Sequence, residues 1–489
     1  MPEPTAPQAP EAPNGPAAPG DAVALDLGAT HGAELAEAIG PAARAFLASL
    51  RGHAASPPGA GSGGGVASPS AETVRTWWTG SQPFPAARLR REMARLGATR
   101  ALVWAPRRGA AQALPTPRQR ELRGVVEGLG AAGFAVLEDL PDATYPALQR
   151  LVVQPTDLSC RFYRPGDEAA IVELFHQSFG PHRSIEHWRW KFAENPYRNH
   201  LISLVETEQG ELAAHYGGFG VPMLRAALTT GGDSAGAHGE EMLAMQMGDT
   251  MTHPRFRAVG RRQTALLPRS VRHFFARHRS DELAFYFGFN RGPIQRFCRW
   301  FIGGDVVEPV GFWSRELPLE PSVATTAYSV TSEEPSTEWD ALLRRALPDY
   351  GFLVRKDREY LDWRYCRCPD HDYVLMAVRE ASGRLVAWGV FRREGEALAW
   401  GDLLVERQHV GCLGALLRAA LADLRLAGAR RVEGWFSRHP EWLPTALGEL
   451  GLRRGAHPQG LAMVALTNPP LEISDLRQLH TTWGDSDLF

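Results

Sequence analysis

The run Thr252-His253-Pro254-Arg255-Phe256-Arg257-Ala258-Val259-Gly260-Arg261-Arg262 separates EEMLAMQMGDTM (240–251), which reads as a strand, from QTALLPRSVRHFFARH (263–278), which reads as a helix. A strand that opens into a helix through arginine and glycine suits an anion. First-turn N–H groups have no intrahelical acceptors, and the helix dipole adds partial positive charge at that end. Gly260 lets the backbone approach a pyrophosphate closely. Pro268 predicts a kink or a shortened first stretch in the helix.

Outward from this run, residues 158–317 begin with the strand CRFYRP (160–165) and the amphipathic helix GDEAAIVELFHQSFG (166–180). A hairpin pair follows, LISLVETEQG (201–210) with ELAAHYGGFGVPM (211–223), and after the decisive run come the strand ELAFYFGFN (282–290) and the short helix RGPIQRFCRWF (291–301). Residues 338–470 repeat the plan: DYVLMAVRE and GRLVAWGVFRREG form a hairpin, ALAWGDLLVE a third strand, VGCLGALLRAALADLRLAG a helix, ARRVEGWFS a strand and EWLPTALGELGL a helix. The repeated order predicts an internal duplication. WRWKFAENP (188–196) and WRYCRCPDH (363–371) each precede the hairpin of their own half.

The run resembles the acetyl-CoA motif of the GNAT N-acetyltransferase superfamily, roughly V-x-P-x-x-R-x-x-G-x-G/A. Pro254, Arg257 and Gly260 stand at the proline, arginine and first glycine positions, and Arg262 departs from the second glycine. YRPGDEAAIVELFHQSFG, WRWKFAENP and HYGGFG are similar to the opening strand, first helices and central hairpin of bacterial GNAT proteins. Asn290 matches an asparagine that these enzymes often place before the next helix. In the second half, Gln408-His409-Val410-Gly411-Cys412-Leu413 fits the motif except at its last position, and Val405 stands where proline is expected. The preferred reading there is a GNAT-like half without its own cofactor.

The resemblance implies an α/β (α+β) fold with two GNAT-like mixed-sheet domains. The expected organisation is a disordered leader and linker with short helices at 1–71, a small α/β accessory domain at 72–155, a GNAT-like domain at 156–320 and a second, degenerate one at 321–489. The leader is read from its prolines and its SPPGAGSGGGVASPS linker (56–70), which bury too little surface to offset ordering entropy. Within 72–153 the pattern alternates, with strands at ATRALVWAP and FAVLEDL and a helical reading for TYPALQRLVV.

The implied reaction is acetyl transfer from acetyl-CoA to an amine or amino sugar, with a sugar nucleotide as one acceptor suggested by the resemblance alone. The alternative is a non-catalytic GNAT-fold protein that binds acyl-CoA or a partner. Arg257, Ala258, Val259, Gly260, Arg261 and Arg262 would cradle the pyrophosphate, largely by backbone, and Asn290 would lie nearby. Backbone N–H groups around Met247, Asp249 and Met251 would polarise the thioester carbonyl. Glu240, Glu241 and Asp249 are candidate bases, each also readable as a strand-end charge in water. The family's usual acidic tyrosine falls on Phe297, which cannot donate a proton; Tyr286 is the substitute candidate, and strand alternation can equally turn it into the core. In one tandem type of the family the chain's own C-terminal carboxylate reaches the active site, and this sequence ends in TWGDSDLF with Phe489 last; a frayed tail is the other reading.

Composition restricts the remaining classes. Across 489 residues, 53 basic and 55 acidic side chains leave a net charge of −2, which argues against a surface built for nucleic acid. Only Lys191 and Lys356 are lysines, a bias we read as that of a GC-rich genome. The arginines between 255 and 279 have a simpler partner in a CoA phosphate than in nucleic acid. No apolar run spans a bilayer and MPEPTAPQAPEAP lacks the features of a secretory signal, so no membrane partner and a cytoplasmic location are expected. Five cysteines make no disulfide framework. Cys366, Cys368 and His371 form C-x-C-x-x-H without a fourth ligand, so no metal is expected.

Overall fold

The computed structural model describes residues 22–26, 73–77, 86–96, 98, 100–106, 125, 128–141, 148–180, 183–227, 239–257, 265–318 and 327–489. The chain divides into two compact units, one of Met1–Cys160 with Gly260–Thr264, the other of Arg161–Val259 with Ala265–Phe489.

In the first unit, β1 (Ala22–Asp26), β2 (Thr73–Trp77), β3 (Arg100–Pro106), β4 (Phe134–Pro141) and β5 (Leu148–Pro155) form a sheet of order β1-β2-β3-β5-β4. The first three strands run parallel, and β5 is antiparallel to both its neighbours. Helix α1 (Ala86–Leu96) buries Ala86, Leu89 and Met93, spaced along one face, in a core with Val103, Leu129, Phe134 and Val153. Two expectations change. Residues 22–26, placed in a leader with short helices, are a strand. The stretch read as helical, 144–153, contributes β5, where Leu151 and Val153 alternate into the core with the period of two that a sheet imposes. The rest of the leader lies outside the described residues.

The division falls within β6 (Leu158–Phe162), and the second unit continues α2 (Glu168–Phe179), α3 (Ile185–Phe192), β7 (Leu201–Thr207), β8 (Leu212–Arg225), β9 (Glu240–Thr252), α4 (Leu266–His278), β10 (Phe285–Asn290), α5 (Gly292–Phe297), β11 (Asp305–Pro309) and β12 (Gly311–Glu316). It continues β13 (Tyr328–Ser332), α6 (Thr337–Tyr350), β14 (Phe352–Val354), α7 (Arg358–Leu361), β15 (Val374–Glu380), β16 (Leu385–Glu394), β17 (Ala397–Val405), α8 (Leu413–Ala422), β18 (Arg431–Trp435), α9 (Trp442–Glu449), β19 (Arg453–Ala456), β20 (Ala462–Thr467), α10 (Ile473–Leu476) and β21 (Leu479–His480).

These strands make two mixed sheets. One runs β6-β7-β8-β9-β10-β20-β11, with β14 and β21 added beyond the far end of β8; the other runs β13-β15-β16-β17-β18-β12-β19. The halves trade strands: β20 from the second half lies antiparallel between β10 and β11, and β12 from the first half lies antiparallel between β18 and β19. A boundary at 320/321 therefore cuts across both sheets, and one hydrophobic core takes Trp188, Phe192 and Phe219 together with Trp363, Trp388 and Trp435.

The halves meet in a reciprocal contact. Trp190 Nε1 donates to the Trp363 carbonyl at 2.6 Å, Trp363 Nε1 donates to the Trp190 carbonyl at 3.0 Å, and the rings stack at 5.2 Å. Such mutual bonding is what a two-fold relation produces. It matches Trp190 with Trp363, two residues from the sequence parallel that matches Trp188 with Trp363. Pro268 causes no kink because it is the third residue of α4, where a backbone N–H has no helical partner to lose. Among the described residues no helix is long and apolar enough to cross a membrane.

Candidate functional site

The ladder between β9 and β10 is short. The strands pair in parallel only from Ala244 to Gln246 against Phe285 to Phe287, after which β10 stays on β20 and β9 stays on β8. At the same place β9 bulges: His215 faces Met251 and Gly217 faces Gly248, so Asp249 and Thr250 stand opposite Tyr216 alone. Asp249 has φ of 51°, a strained backbone position for a residue with a Cβ. Buried His215 holds the bulge by donating from Nδ1 to the Asp249 carbonyl at 2.7 Å.

On one side of β9 the parted strands border a narrow, largely apolar slit. Met247, Thr250, Gly288, Asn290 and Phe297 line it. The other side opens into a cavity of about 390 Å³ walled by Phe175, Trp190, Phe219, Trp363 and Phe489, with Arg183, His187, Lys191, Arg364, Asp370, His371 and Asp487 among them. Gly248 faces this cavity; a Cβ there would meet Asp487 Oδ2 at 2.9 Å and Lys191 Nζ at 3.0 Å. Met247 and Thr250 thus line the slit, while Gly248 and Asp249 between them meet the charged wall of the cavity.

Charges in the cavity are paired across the two halves of the chain. Asp249 accepts from Arg183 and, at 3.0 Å, from Lys191 Nζ, which also lies 3.1 Å from Asp487 Oδ2. Burial alone would raise the Asp249 pKa, but Arg183 and Lys191 outweigh it and hold the carboxyl well below the usual carboxylate range. His187 Nδ1 lies 3.1 Å from Asp370 Oδ2. The tail is not frayed: Phe489 is buried, and an oxygen of its C-terminal carboxyl group accepts from Arg364 Nη2 at 2.7 Å.

Several expected roles change. Asp249 is at the bulge but is a fixed anion rather than an available base. Glu241 is eight residues away along β9, about 26 Å, where it accepts from Arg355 at 2.6 Å; Glu240 accepts from Arg225 at 2.7 Å beside it. The Tyr286 hydroxyl donates to the His278 carbonyl and accepts from Ser280 N, tying down the turn after α4, so it is not presented as an acid. Burial raises its pKa. Met251 packs in the core, whereas Met247 and Asn290 border the slit.

Arg257 bonds back to the carbonyls of Thr252 and Ser178. Ala258, Val259, Gly260, Arg261 and Arg262 lie outside the described residues. Among the described residues no three His, Cys, Asp or Glu side chains form a metal-binding group. The sequence reading missed Arg183, His187, Lys191, Asp370 and Asp487.

The second half has a corresponding gap, and its own chain fills it. Strands β17 and β18 pair in parallel from Ala397 to Trp400 against Arg431 to Gly434, then part. Residues 481–489 enter there: Phe436 bridges to Thr482, Ser437 N donates to the Thr481 carbonyl at 2.9 Å, and the Phe489 ring occupies the space a Cβ on Gly401 would need. Lys356 Nζ, fully buried, bonds Asp402 at 2.5 Å, Thr482 at 3.0 Å and Asp485 at 3.1 Å.

No family model matches the chain, and no curated protein matches its sequence. Its structure is similar to a probable N-acyltransferase from Enterococcus faecalis V583, with a TM-score of 0.47 and 11% identity over 64% of this chain and 73% of that one. A GCN5-related N-acetyltransferase from Kribbella flavida gives a TM-score of 0.45 at 11% identity, over 64% of this chain and 71% of that one. Saccharomyces cerevisiae N-myristoyltransferase with bound myristoyl-CoA gives 0.43 at 10% identity, over 64% and 78%.

Proposed function

We propose that this chain is an acyltransferase, moving an acetyl group from acetyl-CoA in the β9/β10 slit to an amine held in the cavity behind β9. The observation that carries the reading is the coincidence of three features at residues 247–250: the interrupted ladder, the bulge and the two spaces they separate. A parted parallel pair leaves strand-edge N–H groups free to stabilise charge developing on a thioester oxygen. The slit is narrow and apolar, as a pantetheine arm requires. The amine is favoured by Asp370 among aromatic walls, since carboxylates and ring faces both attract an ammonium. An amino sugar remains one such amine.

A second reading, acyl-CoA binding without transfer, is favoured by the engaged Tyr286 hydroxyl and by Phe297. Calorimetry with acetyl-CoA, followed by thiol release over a panel of amines, separates them. The expected outcome is one acetyl-CoA per chain, bound in the first slit, with thiol release. Gly288→Leu places a branched side chain where a Cβ already meets Asn290 Nδ2 at 3.2 Å and the Met247 carbonyl at 3.3 Å, so binding is lost. Unchanged binding in Gly288→Leu removes the slit from consideration, and binding without thiol release favours the second reading.

A further inference from the structure

The acyl-transfer reading leaves the chemistry without a base. Asp249 is locked between two cations, Glu240 and Glu241 are far along β9, Tyr286 is tied to a turn, and the C-terminal carboxyl group of Phe489 is engaged by Arg364. The sequence elements that face the cavity opposite Gly248 supply a different group.

Ser184 caps α3, and its hydroxyl accepts from His187 N at 3.0 Å while donating to Asp370 Oδ1 at 2.6 Å. The other carboxylate oxygen of Asp370 lies 3.1 Å from His187 Nδ1. A helix cap in the first half and a loop in the second are thereby brought together beside a single imidazole. No hydrogen bond joins Asp370 to His187 Nδ1, so Asp370 acts on the ring as a nearby negative charge, which favours the proton on Nδ1 and leaves Nε2 with its lone pair. Both residues line the cavity. The ring also stands edge-on to Trp190 at 5.0 Å, which fixes its plane.

Resting on the acyl-transfer reading, we infer that His187 is the catalytic base of this site and that Asp370 is its positioning residue. The amine nitrogen attacks the thioester carbon, forming the C–N bond. The proton on that nitrogen passes to His187 Nε2, and Asp370 stabilises the imidazolium so formed. The C–S bond then breaks, and the leaving thiolate recovers a proton from the imidazolium through water. One proton moves from nitrogen to sulfur, and no other reactant is required.

The charged and titratable groups facing His187 are Arg183 before α3, Lys191 on α3, Asp249 on β9, and Asp370 and His371 in the loop before β15. Burial, then Arg183 and Lys191, lowers the His187 pKa to about 3, and burial first lowers that of His371 to about 4. Both rings are neutral at neutral pH. The base needs only to accept a proton from the tetrahedral adduct, whose nitrogen is far more acidic than a free ammonium.

The test uses the full chain, acetyl-CoA and two nucleophiles. 4-Nitrothiophenolate is an anion at neutral pH with no proton to shed on attack, while the glycinamide adduct must lose one from nitrogen. In His187→Gln, CoA release with glycinamide is expected to fall about 100-fold, as loss of a general base does, while CoA release with the arenethiolate stays within a few-fold of wild type. Asp370→Asn is expected to fall in the same selective way, by roughly ten-fold. His187→Ala, which opens space into the cavity, is expected to recover glycinamide transfer on addition of free imidazole.

Equal loss with both nucleophiles and no rescue by imidazole would make His187 a wall residue and overturn the inference. So would unchanged glycinamide transfer in His187→Gln. Wild-type protein that binds acetyl-CoA yet releases CoA with neither nucleophile would overturn the acyl-transfer reading itself, and this inference with it.

Discussion

The two halves of the second unit solve one structural problem in opposite ways. Each has a parallel strand pair that parts after a few rungs, a Gly-Asp dipeptide at the parting and a buried lysine on that aspartate: Gly248-Asp249 with Lys191, and Gly401-Asp402 with Lys356. In the first half the gap stays a slit, and Asp249 is held by Arg183 and Lys191 at the edge of a cavity. In the second, residues 481–489 fill the gap, and Asp402 is sealed by Lys356, Thr482 and the Tyr365 hydroxyl. A parted strand pair is therefore a site or a piece of core according to what the chain lays into it.

Removing the two lysines is the strongest way to break that comparison. Lys356→Met strands Asp402 and Asp485, both fully buried, with no other cation paired to them among the described residues. A loss of about 5 kcal/mol is expected, the upper end for breaking a buried pair. Lys191→Met leaves Arg183 on Asp249, and Asp487 keeps some contact with water, so a loss of roughly 1–3 kcal/mol is expected. Urea titrations of the two variants measure the difference. Equal losses would mean that the first-half cluster is as much a piece of core as the second.

An effect smaller than that of Lys356→Met tests the plug. Phe489→Ala removes a ring that is 3% exposed and packs at 5.2 Å from Tyr373 and 5.3 Å from Trp483. The expected cost is about 3–4 kcal/mol, read by the same titration, with acetyl-CoA still binding once per chain. A second binding event in this variant would show that the tail alone separates the halves, and that the second gap retains a working cofactor site beneath it.

The difference between what the sequence revealed and what it hid follows from the range of the interactions. Strand and helix patterns along β7 to β10 and β15 to β18 are local periodicities, so the order of elements in each half was readable. The exchange of β12 and β20 was not, because antiparallel pairing with a distant neighbour leaves no mark on a strand's own alternation. The cavity was hidden for the same reason: Arg183, His187 and Lys191 meet Asp370 and Asp487 only through the fold. One signal was present and was read as genome bias. In a chain with 53 basic residues only two are lysines, and each sits buried on the aspartate at a strand parting. A slim ammonium with three rotatable donors bridges two carboxylates in a space that a planar guanidinium does not fit.

The smallest expected effect concerns acid. His215 in the first half donates from Nδ1 to the bulge carbonyl of Asp249, and His480 in the second donates from Nδ1 to the His439 carbonyl at 2.8 Å. Both are fully buried, and burial lowers their pKa values to about 4 and about 3. In the unfolded chain each titrates at about pH 6.5, so below that the unfolded state binds more protons than the native one. Stability then rises with pH, and each histidine's share is lost on acidification from about pH 6.5 down to its folded value. By about pH 5 each accounts for a loss of roughly 2 kcal/mol. His215→Gln and His480→Gln, whose amides can still donate to the same carbonyls, should each flatten the acid limb of a stability profile by that amount. A flattening confined to His480→Gln would place the first-half bulge in contact with water, where His215 is free to charge, and would put an open path to solvent at the residues assigned to acyl transfer.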